Sequence, residues 1–228
     1  ELIVAKHRNG PTGVVRLITL APEYPANREL IRYAIAHGAA VAAGHTRATY
    51  EQMREAVRLG VNQATHLFNG MNPLHHREPG AVGAALALDE LACQLIADNI
   101  HIHPAVLKLA AQAKGAEGVL LVTDAMAGAG MPDGDYMLGG LAVTVRQGVA
   151  RVADGALAGS TLTLERGLAN FMAATGWTLA QALPAATRAP ARVLGLGARK
   201  GDIAPGYDAD LVALDPAGQV ALTVVGGA

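Results

Sequence analysis

Apolar strand-like runs alternate with helical stripes along the first half of the chain. The run from Val14 to Leu20 is apolar and β-branched, which predicts a buried strand. The helix that follows is expected to be capped by Asn27 and ended by Gly38. Thr49 and Gln52 have the spacing of a capping box, which predicts the start of the next helix.

The same alternation continues to residue 124 and predicts five parallel strands. Strands are expected at 14–20, 39–45, 61–66, 93–98 and 118–124, with helices at 27–38, 49–60, 80–88 and 104–114. Short links between strand and helix are typical of a parallel sheet with right-handed crossovers. Continuous apolar strands indicate a sheet that is covered on both faces. We therefore predict an α/β fold.

The pattern changes after residue 124. Short strands and tight turns are predicted at 136–158, and helices at 163–175 and 179–186. The segments 200–215 and 219–228 are predicted to form short strands.

Composition and charge restrict the possible classes of function. The chain has 228 residues, 51% of them hydrophobic, and a net charge of −1. This balance provides no general attraction to nucleic acid or to a membrane surface. A single cysteine, Cys93, cannot form an internal disulfide, which fits a reducing cytoplasm. Because the sequence has no stretch typical of a signal peptide or a spanning helix, we expect a cytoplasmic protein.

Polar side chains stand at or just past the ends of four predicted strands. They are His45, His66, His101 and Asp124. In a (β/α)8 barrel these strand ends face one side, where active sites are built. Imidazoles that bind Zn²⁺ or Fe²⁺, beside a carboxylate that moves a proton, suit metal-assisted hydrolysis. Taken singly, each histidine could be a hydrogen-bonding loop residue, and Asp124 a helix N-cap.

Glu23 follows the first of these strands and is a possible third ligand. A glutamate at the start of a loop is more commonly solvated or an early helix residue. Both readings stay open at this point.

The turn after His66 has the composition of a phosphate site. Gly70 allows a ligand to approach the backbone closely, and Asn69 offers both a donor and an acceptor. Arg77 offers a planar fork that suits phosphate. The alternative is that Arg77 pairs with Glu78 or another surface acid.

Six segments resemble one known family, the N-acetylglucosamine-6-phosphate deacetylases of the amidohydrolase superfamily. The segments are LAPE (20–23), AGHTRAT (43–49), THLFNGMNPLHHREPG (65–80), IADNIHIHP (96–104), LVTDAMAGAG (121–130) and LAGSTLTL (157–164). The spacing among the segments also fits that family.

The resemblance implies roles for individual residues. His45 and His66 match two metal ligands, so a divalent metal is expected, Zn or Fe. Asp124 matches the catalytic aspartate. The positions that match substrate contacts are Asn69, Gly70, Arg77, His101, Leu157, Ala158 and Gly159. The family arginine that Arg77 matches can reach the pocket of a neighbouring subunit, which implies a homodimer.

The chain departs from the family pattern in one large respect. It has no HLEGP segment and no early His-x-His strand, and Glu23 does not match the family's metal-binding glutamate. The resemblance covers roughly the last three fifths of the family's chain, from about the fourth barrel strand. We therefore expect an incomplete (β/α)8 TIM-type barrel, about strands 4 to 8, at residues 1–198. Residues 199–228 are expected to supply strands of a small β-sandwich domain. An open five-stranded sheet leaves an apolar edge, so we expect non-native pairing, partner association or poor solubility.

The expected reaction is hydrolysis of the acetamide of N-acetylglucosamine 6-phosphate to acetate and glucosamine 6-phosphate. One alternative is another amidohydrolase, such as an N-acyl-amino-acid deacylase, which would not need the phosphate turn. A second is a catalytically incomplete chain that binds a sugar phosphate or a partner subunit.

Overall fold

Five parallel strands with intervening helices form the main body of the protein. The computed structural model describes residues 16–227, and the backbone of residues 3–5. The parallel strands are β2 (Leu17–Leu20), β3 (Ala40–Ala43), β4 (Gln63–Ala64), β5 (Ala92–Ile96) and β6 (Val119–Val122). A short strand β1 (Ile3–Ala5) pairs antiparallel with β2, and the sheet order is the sequence order β1 to β6.

Helices connect each parallel strand to the next. They are α1 (Pro25–Ala36), α2 (Tyr50–Arg58), α3 (Gly80–Ala87) and α4 (Pro104–Gly118). The predicted alternation of five strands and four helices is confirmed. This sequential parallel order is that of consecutive units of a (β/α) barrel. Strand β1 was not predicted, and Val14 lies outside the described residues.

The rest of the chain adds helices and two antiparallel sheets. The elements are β7 (Gly134–Leu138), β8 (Leu141–Arg146), β9 (Val149–Arg151), α5 (Leu164–Thr175), α6 (Leu179–Ala182), a 3₁₀ helix (Leu183–Ala186), α7 (Arg188–Val193), β10 (Leu211–Leu214) and β11 (Val220–Val224). Strands β7 to β9 form one sheet, and β10 pairs with β11 in another. Helix α7 was not predicted, although Pro190 is compatible with it, because the first-turn amides of a helix need no partner.

The two predicted helix caps have different outcomes. The capping box of α2 is confirmed, since Gln52 N donates to Thr49 Oγ1 and Thr49 N donates to Gln52 Oε1. The Asn27 cap of α1 is wrong, because that helix begins at Pro25 with Tyr24 as its N-cap. Proline fits the first helical position, where its fixed φ and missing N–H cost nothing. Asn27 instead donates from its side chain to Ala21 O at 2.9 Å.

The core lies between the parallel sheet and its helices. Ile31, Met53, Leu107 and Phe171 are fully buried helix residues in this layer. Small alanines on the strands let the helices approach closely. In the described residues, no helix combines the length and apolar character that crossing a membrane requires.

Side chains on the β10–β11 hairpin are largely exposed, including those of Val212, Val220 and Leu222. An isolated two-stranded hairpin is marginally stable in water. The expected tendency to pair with other chains stays a prediction.

Candidate metal centre and catalytic site

Four polar side chains occupy the same position relative to four consecutive parallel strands. His45, His66, Asp98 and Asp124 are each the second residue after the end of β3, β4, β5 and β6. Because parallel strands end at one edge of the sheet, these side chains share one face of the fold. Three of the four were predicted. Asp98 was missed although it ends the predicted strand 93–98 as the other three end theirs, because the prediction named His101 instead.

His45 and His66 point at each other. Their Nε2 atoms are 2.9 Å apart, and the rings are nearly perpendicular at 85°. Burial lowers the pKa of His66, and His45 lowers it further, while the Asp124 carboxylate acts in the opposite direction. His66 is therefore held as the neutral imidazole, the form that binds metals.

This histidine pair fits a divalent metal. Zinc–nitrogen bonds of 2.0–2.1 Å at a tetrahedral angle place the two nitrogens about 3.3 Å apart, so only a small opening of the pair is needed. His66 Nδ1 is also buried and has no hydrogen-bond partner within the described residues. In that part of the chain no group of three or more His, Cys, Asp or Glu side chains could hold a metal. His45 and His66 thus supply two of the ligands that a metal site needs.

The three predicted reactive residues share an unusual backbone conformation. The φ angles are +47° at His45, +27° at His66 and +49° at Asp124. A non-glycine residue with positive φ costs about 1–3 kcal/mol and persists only where its surroundings hold it. Strain of this kind is concentrated at functional sites. Phe68, Asn99 and Gln147 also have positive φ, so the strain accompanies the three residues but is not confined to them.

Buried glutamines hold the backbone at His66. Gln94 O accepts a hydrogen bond from Leu67 N at 2.8 Å. The Gln94 side chain accepts from His66 N at 3.4 Å and donates to Gln63 Oε1 at 2.8 Å. Sequence reasoning missed both glutamines. Gln94 had a signal, since it is a polar residue inside the apolar run from Cys93 to Ala97, whereas Gln63 lies in a stretch with other polar residues and had none.

Ser160 holds the backbone at Asp124. Its N–H donates to Asp124 O at 2.8 Å, and its carbonyl accepts from Met126 N at 2.9 Å. Its hydroxyl donates to Thr123 O. A Cβ at Gly159 would lie 3.0 Å from Asp124 O, so the predicted substrate segment lies directly against the loop that carries the predicted catalytic residue.

The turn after His66 packs against the histidine pair. The Asn69 side chain donates to His66 O at 3.1 Å and to Leu67 O at 3.3 Å. Gly70 has a φ of +63°, and a Cβ there would lie 2.9 Å from His45 Nδ1. Any other residue at Gly70 would displace the His45 ring. Binding of substrate by Asn69 and Gly70 stays a prediction.

Asp98 orients His101. The Nδ1 atom of His101 lies 2.6 Å from Asp98 Oδ2, and the two side chains are only 6% and 8% exposed. Asp98 Oδ1 accepts from Ile100 N and His101 N at 2.9 and 2.8 Å. Burial raises the pKa of Asp98, but the hydrogen bonds from His101 and Ile100 outweigh it and hold the pKa below its usual value. The bond at Nδ1 leaves Nε2 of His101 available to a ligand.

A cavity of about 480 Å³ adjoins this pair. His101, Leu157 and Gly159, which were predicted to contact substrate, line it. Ala158 is buried instead in a small core with Met126 and Val143.

Arg77 lies apart from that cavity. Its side chain is exposed, and its Nη1 is 2.7 Å from His76 Nε2. It is not among the described residues that line the cavity. The alternative of a pair with Glu78 is not what the described contacts show, and phosphate binding by Arg77 stays a prediction.

Asp98→Asn is expected to lower the free energy of unfolding at pH 7 by about 1.5–3 kcal/mol, the range for hydrogen bonds to charged groups. Because the folded-state pKa lies below the ordinary 3.8, this stabilisation is complete above that value and lost as pH falls through the folded pKa. The difference in free energy of unfolding between the variant and the unmodified protein should therefore shrink below about pH 4. Urea unfolding from pH 7 down to pH 3 measures it.

Asp89→Asn, at an exposed carboxylate, is the matched control for that series. If the difference in free energy of unfolding stays constant with pH, the charge of the Asp98 carboxylate does not stabilise the fold as proposed.

Comparisons with known proteins show which family the chain resembles. The sequence model of the amidohydrolase family matches residues 11–228. The N-acetylglucosamine-6-phosphate deacetylase of Lysinibacillus sphaericus is 43% identical over 201 residues, which are 88% of this chain and 52% of that protein. The N-acetylgalactosamine-6-phosphate deacetylase of Escherichia coli O157:H7 is also 43% identical over 201 residues, 88% of this chain and 53% of that protein.

Solved structures share the fold. The crystal structure of N-acetylglucosamine-6-phosphate deacetylase from Thermotoga maritima matches with a TM-score of 0.89 at 39% identity, over 93% of this chain and 58% of that one. The chain spans about half the length of the curated relatives it matches. The family match over nearly the whole sequence, together with these relatives, shows that this chain belongs to the amidohydrolase family.

Proposed function

We propose that this chain carries the metal-binding histidines, the proton-transfer group and part of the substrate pocket of an N-acetylglucosamine-6-phosphate deacetylase. The observation that carries the proposal is the convergence of His45 and His66 Nε2 atoms, 2.9 Å apart, on the face that also bears Asp124. Relatives that are 43% identical are deacetylases of N-acetylated sugar phosphates, which supports the reaction class.

His45 and His66 would hold the divalent cation, Zn²⁺ or Fe²⁺, through their Nε2 atoms. When bound, the cation supplies Lewis acidity toward an acyl oxygen and acidifies water. The contacts that hold both turns keep the two nitrogens close together before the cation binds, so the pair needs only to open slightly.

Asp124 moves the proton. Its carboxylate accepts a proton from the attacking water as the water oxygen bonds to the acetamide carbon. It then delivers that proton to the amine nitrogen as the C–N bond breaks. The products are acetate and glucosamine 6-phosphate. Ser160 keeps Asp124 in position during both transfers through its bonds to Asp124 O and Thr123 O.

His101, Leu157 and Gly159 bind the sugar in the 480 Å³ cavity. His101 Nε2, oriented by Asp98, is its available hydrogen-bonding atom. Arg77 and the Asn69–Gly70 turn bind the phosphate. Since Arg77 is exposed and does not line its own chain's cavity, we propose that it serves a second copy in a homodimer. The single cysteine, which cannot form an internal disulfide, supports a cytoplasmic location.

The 6-phosphate of N-acetylgalactosamine is a second candidate substrate. The relative from E. coli O157:H7 that acts on it is as similar in sequence as the N-acetylglucosamine enzyme of L. sphaericus. The two sugars differ only in the configuration at C4.

Acetate release from four sugars tests the proposal: N-acetylglucosamine and N-acetylgalactosamine, each with and without the 6-phosphate. We expect release from the phosphorylated sugars, with N-acetylglucosamine 6-phosphate preferred. Equal rates with and without phosphate would indicate a different deacylase. Binding of the sugar phosphates without acetate release would indicate a non-catalytic chain.

A further inference from the structure

Glu23 contacts the residues that follow His45. Its Oε2 accepts a hydrogen bond from the Thr46 hydroxyl, and its Oε1 accepts from Arg47 N at 2.8 Å. Both carboxylate oxygens are therefore engaged by the two residues directly after His45. The Thr46 hydroxyl in turn accepts from Ala48 N at 3.0 Å, so one glutamate organises the whole turn.

This turn is where the backbone of His45 is strained. Thr46 is fully buried, so its hydroxyl needs a partner, and Glu23 supplies one. The His45 φ of +47° costs free energy that neighbouring contacts must offset. On the other side, Gly44 N donates to Leu20 O at 3.2 Å, which fixes the turn to strand β2. Leu20 and Glu23 thus hold the two ends of the segment that presents His45.

We infer that Glu23 is a positioning residue for the metal site: it sets the direction of the His45 imidazole and is not itself a ligand. The inference rests on the proposed function, because it assumes that His45 and His66 bind a metal. It differs from the ligand role that the sequence left open. A ligand would stand with the two histidines around a common point, whereas no group of three His, Cys, Asp or Glu side chains in the described residues could hold a metal. Both oxygens of Glu23 instead accept hydrogen bonds from Thr46 and Arg47.

The two roles predict different effects of two substitutions. Glu23→Ala removes both hydrogen bonds and should lower metal affinity in either role. Glu23→Gln keeps an oxygen for Arg47 N and places an amide against the Thr46 hydroxyl, which can accept from it. A positioning residue is therefore rescued by glutamine, whereas an anionic ligand is not.

Cobalt titration of the purified chain, followed by the visible d–d absorption, is the test. Loss of partners of this kind costs roughly 10–100-fold in metal affinity, so we expect that loss for Glu23→Ala. Glu23→Gln should keep both the affinity and the spectrum of the unmodified chain. Glu29→Ala is the matched control, since it removes the same charge from an exposed pair with Arg32 on α1.

Thr46→Val provides an independent variant if Glu23→Ala does not fold. It keeps the shape of Thr46, removes the hydroxyl that Glu23 accepts from, and should also weaken cobalt binding. The double variant should lose less than the sum of the single losses, because both substitutions break one shared contact.

Each outcome decides between the possibilities. Unchanged cobalt affinity in Glu23→Ala and in Thr46→Val would overturn the inference and leave the proposed function intact. Equal losses in Glu23→Ala and Glu23→Gln would overturn it in favour of a ligand role. A chain that binds no cobalt at all would overturn both the inference and the metal role of the histidines. Cobalt binding without acetate release would contradict the proposed function alone.

Discussion

Replacing Asp124 by Asn is expected to lower kcat for acetate release by about 10²–10⁴-fold, the usual contribution of a positioned acid–base group. The amide has the shape of the carboxylate but can neither take a proton from water nor return it to the amine. The backbone contacts of residue 124 involve its carbonyl, which accepts from Ser160 N, and they do not depend on the side chain. The variant should therefore fold and keep its cavity.

Metal content separates this role from that of a ligand. The Asp124→Asn variant should bind as much metal per chain as the unmodified protein. Asp154→Asn, at an exposed carboxylate, is the control and should leave kcat unchanged. Loss of metal from the Asp124 variant would make the carboxylate chiefly a ligand, and full activity would remove it from proton transfer.

Arg77→Ala is expected to raise KM for N-acetylglucosamine 6-phosphate by about 10–100-fold, since charge-assisted bonds to phosphate contribute about 1.5–3 kcal/mol. The KM for unphosphorylated N-acetylglucosamine should change little, because that sugar offers the guanidinium no anion. Steady-state kinetics on the two sugars measures the difference.

Arg58→Ala is the control for general loss of positive charge, because Arg58 is an exposed residue at the end of α2. An equal change in KM for both sugars would exclude a phosphate role for Arg77.

The site residues that could be predicted from the sequence are those that stand at the end of a predicted strand. His45, His66 and Asp124 each end a predicted strand, so their convergence follows from the parallel order of the sheet. Asp98 ends its predicted strand in the same way, but the prediction named His101 instead. The sequence alone could not show that the Asp98 carboxylate pairs with the His101 ring.

Contacts between distant segments could not be predicted from periodicity. Glu23 meets Thr46 across 23 positions, and Ser160 meets Thr123 across 37. Neither pair has a signature in local spacing, because the fold alone brings the partners together. The predicted start of α1 was wrong for a local reason. Pro25 fits the first turn of the helix, and this overrides the capping preference of Asn27.

The most direct test of the central claim is the amount of tightly bound metal per purified chain, measured beside a His66→Ala variant. We expect about one equivalent in the unmodified protein and its loss in the variant, because the two Nε2 atoms act as a pair. A chain without bound metal, or a variant that binds as much as the unmodified protein, would contradict it.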